Sequence, residues 1–136
     1  MKKIKIFLII FSLCAFKCSD QNSPVLENNG LVGKWKLTEY LADPGGGGVW
    51  QTASENFSHT VEFHADGRFT EVKGKAQSSI SLFKGYKLKG DSQIEMLPID
   101  EFTPPHIWTY SDLSSTKLTL SYGCFEACGG RYVAVE

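Results

Sequence analysis

The sequence lacks several features that would have narrowed its function at once, and each absence excludes a class. No apolar run is long enough to cross a membrane: a spanning helix needs roughly 17–25 such residues, and residues 6–16 supply about eleven. No segment carries apolar residues at the three- and four-residue spacing of an amphipathic helix, and no internal repeat is present. The glycine run at residues 45–48 is not followed by the Gly-Lys-Ser/Thr and helix of a phosphate loop. Cys124 and Cys128 have no histidine nearby, a poor zinc pattern, and His59, His64 and His106 are scattered with no nucleophile at a recognisable spacing. The reading is therefore one without catalysis, cofactor or metal. The histidines are read as surface or rim residues, and His59 as a polar anchor only if its strand parity holds.

What is present begins with a targeting signal. Three lysines among the first five residues precede the short apolar run, as in a secretory signal. Residues 1–17 are assigned to that signal, residues 18–30 to a polar tether, and residues 31–136 to a single domain. Removing the signal leaves about ten of the 14 basic residues and all 15 acidic ones, a net charge near −5 that argues against nucleic acid. Cys18 resembles the acylated first residue of mature bacterial lipoproteins. In that family a small residue precedes the cysteine, whereas Lys17 does here; an ordinary cut after Cys14, with Ser12 and Cys14 as the small pair, and a retained anchor are the alternatives. All three place the domain outside the cytoplasm, and lipidation would anchor it in the bacterial cell envelope, at the outer membrane or surface.

From residue 33 the chain reads as short strands. Trp35, Leu37, Glu39 and Leu41 alternate with Lys34, Lys36, Thr38 and Tyr40, the period of a half-buried strand with Glu39 interrupting its apolar face. Pro44 and the four glycines predict a flexible loop or hinge over residues 42–56, with Trp50 on it as a ligand contact. Residues 57–63 form the next strand, with Phe57, His59, Val61 and Phe63 on one face. A three-residue turn ending at Gly67 sets Phe63 opposite Phe69. Further strands follow at 68–73, 79–89, 93–97, 106–110, 118–122 and 131–135. Gly85 marks a bulge in the fourth, where Ile80, Leu82, Tyr86 and Leu88 share a face.

Eight strands without a helix admit an antiparallel up-and-down barrel or a β-sandwich. Loop lengths favour the barrel, because short connections at residues 65–67, 90–91 and 111–115 alternate with longer ones at 42–56, 74–78, 98–105 and 123–130. One tight end and one loop-rich end make a cup, whose interior holds side chains alone or one small ligand.

Gly33-Lys34-Trp35 in the first strand, the hairpin from Phe63 to Phe69, and the closing Cys124-Phe-Glu-Ala-Cys128-Gly-Gly-Arg-Tyr-Val together resemble the lipocalin-like domains of bacterial lipoproteins. That resemblance implies an eight-stranded barrel closed at one end by Trp35, binding small apolar molecules through the loop-rich mouth. It also suggests an arginine over the first-strand tryptophan. Antiparallel pairing, however, brings Val135 beside Trp35 and leaves Arg131 about 13 Å up the wall, so Arg131 is not given that role.

The candidate ligand contacts are Trp50, Trp108, Tyr110, Phe63, Phe69 and Glu71, with Glu39 and His59 as further polar anchors if they face inward. In an oxidising compartment Cys124 and Cys128 pair as a disulfide worth about 2 kcal/mol. The expected partners are a small apolar or amphipathic ligand and a membrane reached through the lipid anchor. Alternatively, inward-pointing Trp35, Phe63, Phe69, Tyr86, Trp108 and Tyr122 fill the barrel, which then serves as a protein-interaction or envelope-assembly module.

Overall fold

The computed structural model describes residues 30–43, 45–74 and 81–136. The signal, the tether, lipidation of Cys18 and the inward orientation of Ile80 lie outside the described residues.

These residues form nine strands and no helix: β1 (Gly33–Ala42), β2 (Val49–Thr52), β3 (Thr60–Phe63), β4 (Phe69–Val72), β5 (Phe83–Lys89), β6 (Gln93–Pro98), β7 (His106–Ser111), β8 (Lys117–Ser121) and β9 (Cys128–Val135). All pairs are antiparallel, in the order β4-β3-β1-β9-β8-β7-β6-β5, with β2 attached separately to β1. The two terminal strands approach each other through a single bridge, Arg68 to Gly85. The eight-stranded sheet is thus a nearly closed up-and-down barrel and not a sandwich. At the seam the Tyr86 amide donates to the Gly67 carbonyl at 2.8 Å, and the Tyr86 hydroxyl to the His64 carbonyl at 2.9 Å.

The β3–β4 hairpin forms in the register its aromatic residues predict. Phe63 pairs with Phe69, their ring centroids 5.2 Å apart. Gly67 takes φ of +86° after the His64–Gly67 turn, a conformation costly for a residue with a Cβ.

Three sequence expectations are corrected. The loop expected at residues 42–56 contains β2, which pairs Trp50 with Leu41 and Gln51 with Tyr40. Its glycine turn is no free hinge, because the Asp43 carboxylate accepts the amides of Gly45, Gly46 and Gly47 at 2.6–2.8 Å. Those hydrogen bonds hold the Asp43 carboxyl below the usual carboxylate range. Glu39 faces outward: the ladder with β9 shifts between Leu37 and Glu39, leaving Thr38 as an extra residue whose hydroxyl donates to the Arg131 carbonyl at 3.0 Å. One inserted residue reverses the parity beyond it, so Tyr40 packs inward and Glu39 meets Arg131 outside. A second shift, between Phe83 and Gly85, buries Phe83 and turns Leu82 out.

The interior is filled. Trp35, Leu37, Val61, Phe63, Phe69, Tyr86, Ile94, Met96, Leu118, Leu120 and Tyr132 are buried in one cluster. Trp35 sits near the short-turn end, its indole N–H donating to the Leu31 carbonyl at 2.8 Å. Ala134 pairs with it, one residue from the expected Val135, and Arg131 does not lie over it.

Candidate functional site at the barrel mouth

The loop-rich end is assembled from the end of β1, the approach to β3, the end of β4, the start of β5 and the junction of β8 and β9. Two hollows open there and share a wall made by His59 and Tyr122. One, of about 210 Å³, is lined by Glu71, Lys73, Leu82, Phe83, Trp108 and Tyr132 besides those two. The other, of about 340 Å³, is lined by Leu37, Tyr40, Leu41, Phe57 and Gly129.

The shared wall is polar inside an aromatic frame. The His59 Nε2 lies 2.9 Å from the Tyr132 hydroxyl, which hydrogen-bonds in turn to the Tyr122 hydroxyl. Glu71 Oε1 stands 3.9 Å from His59 Nε2, and Glu71 Oε2 3.9 Å from Lys73 Nζ. Gly130 makes room for this cluster: a Cβ there would meet the Tyr122 hydroxyl, Leu37 Cδ1 at 2.6 Å and Tyr132 Cε2 at 2.6 Å. Around the network, Trp108 meets Phe83 and Phe69 edge to face at 5.5 and 5.8 Å between ring centroids, and Tyr122 at a tilt at 4.9 Å.

Burial sets the protonation states. Desolvation, helped by the charge on Lys73, lowers His59 to about 4, so its imidazole is neutral at pH 7 and its approach to Glu71 is not an ion pair. Burial raises Glu71, partly offset by Lys73 and the Ser81 hydroxyl. Burial pushes Tyr122 up to about 12 and raises Tyr132 well above the ordinary phenol range, so both phenols keep their protons. One atom is left over. Among the described residues, the buried His59 Nδ1 has no hydrogen-bond partner, a state that costs free energy.

No known protein family, curated protein or solved structure matches this chain.

The expected contacts divide accordingly. Trp108 and Glu71 line the mouth, and Phe69 supports Trp108 from below. Phe63 is fully buried near the closed end, opposite Gly33, against Phe69 and Tyr86. Tyr110 belongs to the opposite end, where its hydroxyl donates to the Asp91 carbonyl at 2.7 Å. Trp50 lies on the outer wall, its ring 4.1 Å beneath the Arg131 guanidinium, and lines neither hollow. Gly33 begins β1 at the closed end, and the Cys124–Cys128 disulfide is formed. Lys73, Phe83, Tyr122 and Tyr132 complete the site without having been singled out as contacts. Tyr122, just past β8, continues the inward parity of Leu118 and Leu120 that was legible; no face was assigned to the strand of Tyr132, and Phe83 was hidden by the bulge at Gly85.

Proposed function

We propose that the barrel mouth binds a small amphipathic molecule. Its apolar part packs on Trp108, Phe83 and Leu82, and its polar head meets His59 beside Tyr132, Glu71 and Lys73. The observation that carries this reading is the pair of hollows of about 210 and 340 Å³ that share His59, whose buried Nδ1 has no hydrogen-bond partner among the described residues. A pocket with apolar walls and a few placed polar groups is the usual form of a small-molecule site. The proximity of Glu71 and Lys73 balances charge locally, favouring a neutral head such as a hydroxyl over a carboxylate. Since the core below is filled, the ligand lies shallowly in the mouth and does not thread the barrel. Protonated phenols and an imidazole of lowered basicity suit recognition better than nucleophilic chemistry. The basic start and short apolar run of the N-terminus support export, with Cys18 as the residue that would carry a lipid anchor in the cell envelope.

Decanol tests the site. Titrated into the full chain, it is expected to shift the fluorescence of Trp108, and His59→Leu to weaken binding about tenfold or more. Trp50→Phe should leave the affinity unchanged, because Trp50 is on the outer wall. Absence of a shift, or equal affinity in the His59 variant, overturns the proposal.

A further inference from the structure

Among the described residues, the large apolar side chains that stay exposed gather at the loop-rich end. Phe57, Leu82, Ile99, Phe102 and Phe125 stand around the mouth, whereas the connections at residues 64–68, 90–92 and 112–116 expose none. Single exposed apolar residues are ordinary on a soluble surface. A one-sided collection of them is a contact surface in search of a cover.

The two most prominent members are fully exposed and held in place. Phe102 rides on a turn in which the Asp100 carboxylate accepts the amides of Phe102 and Thr103 at 2.9 and 2.7 Å. Phe125 stands on the Cys124–Cys128 disulfide loop, which the Asp43 amide ties to β1 through the Ala127 carbonyl at 3.1 Å. Loops ordered in advance lose less entropy when they dock.

Each exposed phenylalanine has a carboxylate beside it in the chain. Glu55 precedes Phe57 by two residues, Glu101 adjoins Phe102 and Glu126 adjoins Phe125, and all three acids are exposed. Of the cations near this end among the described residues, Lys73 lies against Glu71, Arg131 pairs with Glu39, and Lys84 alone stands exposed at the start of β5, against the three exposed acids. The rim is therefore apolar and acidic together. We infer that it docks onto a protein surface whose apolar pockets are bordered by lysine and arginine. A bilayer fits less well, since anionic headgroups repel these carboxylates and burying them unpaired among lipids is costly. This goes beyond ligand binding at the mouth, because the docking residues do not depend on an occupied pocket.

The test offers the full chain two short amphipathic peptides of identical pattern, one of leucine and lysine and one of leucine and glutamate. Vesicles of phosphatidylcholine and of phosphatidylglycerol are offered alongside. The lysine peptide should bind at least about tenfold more tightly than the glutamate peptide, and more weakly at high salt. The pair Phe102→Ser and Phe125→Ser, and separately the pair Glu101→Lys and Glu126→Lys, should each weaken lysine-peptide binding about tenfold. Thermal midpoints should hold, as all four side chains are exposed. Equal affinity for the two peptides, tighter binding to either vesicle, or unchanged affinity in the variants overturns the inference. The decanol response should persist in both pairs, so failure of the docking reading is separable from failure of the ligand reading.

Discussion

His59 is the residue on which the mouth turns, and its titration has a definite sign. Its folded pKa of about 4 lies below the ordinary 6.5, so between those values the unfolded chain binds the extra proton. The associated stability is present above pH 6.5 and is lost as pH falls toward 4, by at most about 3 kcal/mol for a shift of this size. Glu71 works in the opposite direction: its raised carboxyl is relieved by protonation, which flattens the loss at the acid end. The urea midpoint should therefore fall between pH 6.5 and 4.5, and His59→Gln should remove most of that slope. An unchanged slope would mean that the imidazole is not held neutral by burial. Most of the site's residue types were visible in the sequence, but the neutral state of His59 was not. That state comes from burial among residues distant in the chain, such as Tyr132, whose hydroxyl meets the ring from 73 positions away.

At the scale of the element, β1 shows how one residue redirects a strand. Simple alternation puts Glu39 inside, while the bulge at Thr38 puts it outside, 3.1 Å from Arg131. Arg131 in turn covers Trp50, so a salt bridge and a cation–π contact converge on the outer wall. Both partners of the pair are substantially exposed, which limits its value. Glu39→Leu should therefore change stability by less than about 1 kcal/mol in urea denaturation. A large stabilisation would place Glu39 in the interior and refute the bulge. The same reasoning explains Leu82 and Phe83, whose exchanged faces follow from the shift at Gly85.

Over the whole molecule, the barrel is strongest where its first and last strands meet and weakest at the seam between β4 and β5. The β1–β9 ladder runs from Lys34 and Val135 to Ala42 and Cys128, whereas β4 and β5 share one bridge and the two Tyr86 hydrogen bonds. Local opening follows the density of such contacts. Amide hydrogen exchange should be slowest along β1 and β9 and fastest along the seam. Tyr86→Phe should cost about 1 kcal/mol and accelerate exchange in β4 and β5 while leaving β1 and β9 nearly unchanged. Uniform acceleration would show that the barrel opens only as a unit.

The sequence by itself determined the all-β class, the alternation of short and long connections and the pairing of Phe63 with Phe69. These rest on local chemistry: period-two patterning, turn residues and cross-strand aromatic contact. Tertiary structure alone decided where Glu39, Leu82 and Trp50 point. An inserted residue changes parity only relative to a partner strand, and the hydrogen bonds that placed β2 against β1 outweighed the glycines beside it. It also decided that the interior is full and that the polar site lies in the mouth. Volume and burial depend on which side chains converge across the barrel, and no single strand carries that information.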